Sequence, residues 1–397
     1  MTPEIDMART GSHRPFDIAV AGHICLDIIP ALPALEGGLD KLLAPGRLTR
    51  IGPAAIATGG SVPNVGLALH RLGLRTMLSG KVGDDALGAV VLDILRSHDP
   101  ALADGMIVAP GEPTSYTIVI NLPGVDRAFL HCPGVNDTYC AADPPYERLG
   151  AARCVHFGYP PLMRRLYTDG GRELAEILRR LKDRGLTTSL DLAAVDPASD
   201  AGRVNWPVLL EHVLGLVDVF LPSLDEIAWM FGLAGGLDDG RLARQIARRV
   251  LDMGVAVVAL KLGDQGLFVQ TSADAARLRD AGSAAPADPG AWAGRQMLAP
   301  CFQVDVAGTT GSGDCTIAGF LAGLVKGLPV EQAVTAAVAV GACSVEQPDA
   351  TSGVPSWKAV QRRIAAGWAR RPVSSDLPSW SWRDAAGLYL GPDDAGR

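Results

Sequence analysis

Short apolar runs of β character alternate with amphipathic helical stretches along most of this chain, and that rhythm limits the fold more than any single residue does. Residues 16–24 read as a buried strand, 62–73 as a helix, 74–82 as a strand and 85–97 as a helix. The order returns with Cys154-Val155-His156-Phe157 as strand, 171–184 as helix, 186–192 as strand, 208–214 as helix and 217–221 as strand. It continues with a helix at 241–253, a strand at 255–262 and helices at 315–326 and 330–345. Strands followed by helices predict βαβ units, hence an α/β fold with a mainly parallel sheet covered on both faces.

A chain of 397 residues with 48% hydrophobic content has enough apolar mass for a sizeable core. Its net charge of −7 argues against nucleic acid as a partner. The basic group Arg241, Arg244, Arg248 and Arg249 falls on one amphipathic helix and reads as a solvated face. No run of about 18 apolar residues and no charged-then-apolar leader is visible, so no membrane partner and a cytoplasmic enzyme are expected. The seven cysteines are scattered without CxxC pairs, which reads as buried free thiols rather than disulfides or a zinc site.

The chemistry concentrates at Gly308-Thr309-Thr310-Gly311-Ser312-Gly313-Asp314, which follows the β-like run Cys301–Val306 and opens a small-residue helix. A glycine turn at a helix start presents free N–H groups at the positive end of the helix dipole, an anion site. It is not a P-loop, because no Lys-Ser/Thr follows, and it sits wrongly for a dinucleotide fingerprint. An acid beside a bound phosphate is electrostatically disfavoured unless it has a task, and proton removal from a hydroxyl during phosphoryl transfer is such a task. The alternative for Asp314 is a helix N-cap.

Here the chain resembles the ribokinase-like, or PfkB, carbohydrate kinases. Their C-terminal signature, Asp-Thr-x-Gly-Ala-Gly-Asp, is matched by Thr309, Gly311, Gly313 and Asp314, with Ser312 for Ala and Gly308 for the leading Asp. The N-terminal signature is matched by Gly59-Gly60-Ser61-Val62-Pro63-Asn64 through Leu72-Gly73. Between them, Gly80-Lys81-Val82-Gly83-Asp84-Asp85 and Leu262-Gly263-Asp264-Gln265-Gly266 resemble two further family motifs, and the resemblance spans about residues 16–360.

That resemblance implies a three-layer α/β/α sandwich over 15–372 with a small β-sheet lid built from about 25–58 and 106–133. In the second segment Tyr116–Asn121 and Arg127–Cys132 read as a hairpin. It implies catalysis by Asp314 as base with the amides of Gly311, Ser312 and Gly313 as anion hole. Sugar recognition would fall to Asp27, Gly59, Gly60, Asn64, Lys81 and Asn136. On the ATP side stand Ser223, Glu226, Lys261, Gly263, Gly266 and Thr309, with Ala342 and Cys343 bordering adenine. Glu226 would act on Mg²⁺ through water, although Ser223 replaces the family's Asn and could simply cap a helix with Glu226. Asn64 could likewise be a cap, Asp27 a solvated strand-end acid and Lys81 a surface lysine.

Two regions stand outside the rhythm. Residues 271–299 read as an excursion or mobile loop near the nucleotide, and 373–397 as a C-terminal tail with enough apolar mass, including Trp380, Trp382 and Tyr389, to dock. The expected activity is phosphorylation of a primary hydroxyl on a small sugar or polyol. The alternatives are a nucleoside kinase of the same fold and a catalytically silent sugar-binding regulator. The resemblance also allows a homodimer through the lid. Loss of the carboxylate at Gly308 weakens any K⁺ site behind the anion hole, unless Asp305 or Asp349 compensates.

Overall fold

The computed structural model describes residues 14–33, 45–46, 48–122, 128–233, 240–374 and 377–394. The strands are β1 (Phe16–Gly22), β2 (Cys25–Pro30), β3 (Ala54–Gly59), β4 (Thr76–Ser79), β5 (Lys81–Gly83), β6 (Ile107–Ala109), β7 (Tyr116–Ile120) and β8 (Ala128–Cys132). They continue as β9 (Ala152–Gly158), β10 (Thr187–Leu190), β11 (Val219–Phe220), β12 (Val257–Lys261), β13 (Leu267–Thr271), β14 (Gln296–Ala299), β15 (Ser381–Arg383) and β16 (Leu388–Leu390).

Ten of these form one sheet in the order β15-β16-β14-β13-β12-β11-β10-β9-β1-β4. From β4 to β12 every neighbouring pair is parallel, and from β12 to β15 every pair is antiparallel. The change of direction follows from the connections. Parallel neighbours are joined through helices, whereas β12 turns straight back into β13 at residues 262–266.

The parallel strands are buried on both faces, which explains the apolar runs 18–21 of β1 and 257–260 of β12. In β1, Ile18 and Val20 enter one core with the helices Ser61–Arg71, Ser312–Val325 and Val330–Ser344. Ala19 and Ala21 enter the other core, with the helices Arg172–Lys182, Trp206–Val213, Leu224–Met230 and Arg241–Asp252. The sheet is thus sandwiched between two helical layers. Among the described residues no helix is long and apolar enough to cross a membrane.

The lid is a separate four-stranded sheet in the order β3-β2-β7-β8, with β2 and β7 parallel and the outer pairs antiparallel. Its hairpin pairs Tyr116 with Cys132 and Ile120 with Ala128. Residues 123–127 and much of the connection between β2 and β3 lie outside the described residues.

Two local expectations need correction, and the expected docking of the C-terminal tail takes a specific form. Cys301–Val306 is not a strand: only Phe302 makes a bridge, to Arg370, and the sheet strand lies just before it at β14. Residues 271–299 are not a loop beside the nucleotide. They carry two short helices, Ala275–Arg279 and Pro289–Trp292, and then the fully buried β14. Because β13 runs antiparallel, the connection after it emerges at the opposite end of the sheet, where Ser283 N–H bonds Gly185 O at 2.9 Å. The C-terminal segment supplies β15 and β16, which extend the sheet past β14 through Met297–Leu390 and Leu298–Tyr389 pairs. Trp380 there packs edge-on against Phe268, ring centroids 6.0 Å apart.

Candidate active site

Five of the six parallel strands of the main sheet end, at their C-terminal edge, beside one polar crevice, the place where α/β sheets collect ligands. His23 follows β1, Tyr159 follows β9, Asp191 follows β10, Ser223 follows β11 and Lys261 closes β12. The helix Ser312–Val325 points its N-terminus into the same crevice.

Asp314 sits in the first turn of that helix and is only 3% exposed. It is not the N-cap, which is Gly311 at φ 70°. A Cβ on Gly311 would also lie 2.6 Å from Ala350 Cβ, so glycine is required twice over. The Tyr159 hydroxyl donates to both Asp314 oxygens at 2.8 and 2.9 Å, and Asn64 Nδ2 donates to Oδ2 at 2.9 Å. Burial pushes the Asp314 carboxyl up to about 6, against the opposing pull of Lys261 and of these hydrogen bonds.

The free amides at this helix start are not quite the expected set of Gly311, Ser312 and Gly313. Helix geometry leaves the N–H groups of Gly313 and Asp314 without intrahelical acceptors, whereas Ser312 N–H turns back onto Thr309 O at 3.3 Å. Lys261 compensates, since a Cβ on Gly313 would stand 3.7 Å from Lys261 Nζ. That ammonium is held by both oxygens of the buried Asp191 at 2.8 and 2.9 Å. Burial raises Asp191, with the Lys261 charge pulling the other way.

Lys261, Gly263, Gly266, Thr309, Ser312 and Gly313 line one cleft of about 480 Å³. Its inner wall is apolar, formed by Phe302, Val304, Val338, Ala342 and Val345, and Arg371 stands at its rim paired with Asp264 at 2.8 Å. Cys343 is not part of that wall. It is buried one residue further along its helix, and its sulfur faces Arg363 Nη1 at 3.8 Å. Ser223 caps the helix Leu224–Met230, and its N–H bonds Glu226 Oε2 at 2.8 Å in a capping box. Ser223 also bridges Lys261, which keeps Glu226 in the electrostatic neighbourhood of Asp314.

On the lid side, Asp27 lies on β2 opposite Ala57, and Gly59 is the close neighbour of its carboxylate. A Cβ at 59 would stand 2.3 Å from Asp27 Oδ2. Burial raises the Asp27 carboxyl, opposed by hydrogen bonds from Cys25 and Thr117. Gly60, at φ 95°, is the N-cap of the helix Ser61–Arg71, so Asn64 is a helical residue rather than a cap. Its amide is already engaged by Asp314. Asn136 is fully buried and donates to Ile24 O at 2.9 Å, tying the chain that returns from the lid to the β1–β2 corner.

Lys81 does not join this group. Its Nζ bonds Thr138 Oγ1 at 3.0 Å and faces Glu112 at 3.2 Å and Asp143 at 3.6 Å. It is also buried, so it is no surface lysine either.

Sequence reasoning missed Tyr159, Asp191 and His156. Tyr159 carries a local signal, a non-glycine residue at φ 64° directly after a strand. Asp191 and His156 carry none, since each is a polar residue within or at the end of an apolar run. His156 bonds Ser189 at 2.9 Å and Ser61 at 3.4 Å, joining β9 and β10 to the Asn64 helix.

Several known proteins share this architecture. The Arabidopsis thaliana ribokinase complexed with ribose and ATP superposes with a TM-score of 0.66 at 18% identity, over 87% of this chain and 98% of that one. A Xylella fastidiosa fructokinase with bound ATP gives 0.66 at 18% identity, over 88% and 98%. In sequence, an uncharacterized sugar kinase of Archaeoglobus fulgidus is 27% identical over 73% of this chain and 98% of that protein. The Bacillus subtilis 2-dehydro-3-deoxygluconokinase is 24% identical over 78% and 87%. A nucleoside kinase of Methanothermobacter thermautotrophicus is 24% identical over 90% and 98%. The profile of the pfkB family carbohydrate kinases matches residues 17–357, and the chain belongs to that family.

Proposed function

We propose that this kinase transfers the γ-phosphoryl group of ATP to a primary hydroxyl of a small sugar or polyol. The observation that carries the reading is the setting of Asp314: a buried carboxyl raised to about 6, aimed by neutral donors, in the first turn of a helix beside Lys261 and between the lid and the 480 Å³ cleft. A base whose proton affinity lies just below neutral is ionised at pH 7 yet able to accept a proton as the hydroxyl attacks. The proton moves from the sugar hydroxyl to a carboxylate oxygen of Asp314. Tyr159 and Asn64 hold that carboxylate in one orientation.

Charge developing on the transferred group meets the free amides of Gly313 and Asp314, the helix dipole and the Lys261 ammonium. The apolar wall around Ala342 and Val345 suits a nucleobase, with Gly263 and Gly266 beside the ribose and phosphates and Thr309 beside the phosphates. Mg²⁺, when bound, neutralises phosphate oxygens; Glu226, oriented by Ser223 N–H, is the acid that would hold it through water. Asp27, with Gly59 and Gly60 keeping the backbone close, takes sugar hydroxyls. Asn136 shapes that pocket by fixing the return of the lid.

Gly308 argues for weak dependence on K⁺. A Cβ at this position would stand 2.9 Å from Pro348 O, so the 346–355 loop leaves little room for a side chain at 308 that could complete a cation site. A cytoplasmic location and a homodimer through the lid remain part of the proposal.

The test is ADP release with Mg²⁺ and ATP over a panel of pentoses, ketohexoses, deoxy-keto acids, inositols and nucleosides, with Asp314→Asn as control. Turnover with one sugar class that vanishes in the variant is expected. Turnover with nucleosides alone, or sugar binding without any turnover, overturns the reading.

A further inference from the structure

One polar cluster, where the lid meets the crevice, holds three groups to which that chemistry gives no role. His23 follows β1, Cys25 opens β2 and His131 lies on β8. One ligand-capable atom from each lies within 4.8 Å of the others. His23 is 2% exposed, and neither of its ring nitrogens has a hydrogen-bond partner. Burying an imidazole with both nitrogens unbonded is unfavourable, and such an orphan calls for a missing partner.

The neighbours are arranged as ligands require. His131 shares a hydrogen bond between Nδ1 and Thr117 Oγ1 at 2.9 Å, which fixes the ring and leaves its other nitrogen available. Its ring centroid lies 5.5 Å from that of His23. The Cys25 sulfur lies 3.6 Å from the same Thr117 oxygen and 3.4 Å from Asp27 Oδ1, so one threonine braces two of the three groups. Two imidazoles and a thiol form an N₂S set, which suits Zn²⁺-type ions and not the oxygen-preferring Mg²⁺ or Ca²⁺. Around a tetrahedral ion the donor atoms would be roughly 3.5 Å apart. The longest separation must therefore close by up to about 1.3 Å, and His131 is on an exposed lid strand that can supply the movement.

We infer that His23, Cys25 and His131 form a site for a soft divalent ion of the Zn²⁺ class, which ties lid strands β2 and β8 to the end of β1. The fourth position is left to water. On binding, the Cys25 S–H bond breaks, the sulfur lone pair binds the ion, and the proton passes to solvent. This site does not depend on the kinase reading, because its binding is measured without turnover.

The experiment is calorimetric titration of the chelator-stripped full chain with Zn²⁺ in excess Mg²⁺, repeated in buffers of different ionisation enthalpy to count released protons. One equivalent should bind with release of about one proton. Cys25→Ser and His131→Ala should each weaken binding at least tenfold while keeping the ion-free melting temperature. Co²⁺ should show a thiolate-to-metal charge-transfer band that Cys25→Ser abolishes. Absence of a saturable step in excess Mg²⁺, or wild-type affinity in either variant, overturns the site.

Discussion

Two buried acids, Asp314 and Asp218, stand at opposite ends of the parallel sheet, and their surroundings differ in one decisive respect. Asp218 is fully buried just before β11. It is met by Lys182 Nζ at 2.8 and 2.9 Å, Arg277 Nη1 at 2.9 Å and Thr188 N–H at 2.9 Å. Two cations and several donors neutralise it, and it welds the helix Arg172–Lys182 and the segment after β13 to the sheet. Asp314 is held by the uncharged donors Tyr159 and Asn64, while the nearby Lys261 is already bound to Asp191. A buried carboxylate with its charge matched is a structural joint; one aimed by neutral groups is left able to take a proton.

The largest expected difference between the two ends is catalytic. Asp314→Asn should lower kcat by about 10²-fold or more. The same change should raise the melting temperature, because the rise from 3.8 to about 6 means that burying the carboxylate costs up to roughly 3 kcal/mol at neutral pH. A folded-state value above the unfolded one means that stability falls as pH rises through this window. Near-wild-type turnover in this variant would falsify Asp314 as base.

Asp27→Ala should raise KM for the sugar about tenfold or more with little change for ATP, since lost hydrogen bonds to buried hydroxyls cost about 1–3 kcal/mol each. Equal effects on both substrates, in steady-state kinetics, would remove Asp27 from the sugar pocket. Asp218→Asn should do the reverse of Asp314→Asn. Its unfolding free energy should drop by about 2 kcal/mol, below the usual cost of breaking a buried pair because Lys182 and Arg277 are partly solvated. Its kcat well below the melting temperature should be unchanged, and a large loss of turnover there would break the contrast.

Smaller effects sharpen it. kcat/KM should fall as pH drops below about 6, where Asp314 gains its proton. Tyr159→Phe removes a bond that favours the carboxylate, so this acidic limb should move to higher pH. An unmoved limb would assign it to another group. Replacing K⁺ by a large monovalent cation at constant ionic strength should change the rate least of all. Activation by K⁺ of about tenfold, or about 1.4 kcal/mol of coupling, would mean that a cation site persists despite Gly308.

The alternation of strand and helix from residue 16 to 345 was legible because buried parallel strands and their covering helices impose different apolar periods on the chain itself. Thr309, Gly311, Gly313 and Asp314 were legible for a related reason. A tight turn, a helix start and a chemical group that must adjoin them in sequence leave a local pattern. The β14 strand was misread as part of a loop because Gln296-Met297-Leu298-Ala299 is short and follows a stretch rich in Ala, Asp and Gly; only pairing with β13 and β16 makes it a strand.

The sequence by itself determined the layered α/β architecture and the glycine turn that opens the helix Ser312–Val325, since both are set by neighbours along the chain. Only the tertiary structure decided which polar residues share the site. Asn64 meets Asp314 across 250 positions, Lys261 meets Asp191 across 70, and Lys81 is drawn away by Glu112 and Asp143. Charges and hydrogen bonds act through space over a few ångströms, so their partners are fixed by how the strand ends converge and not by spacing along the chain.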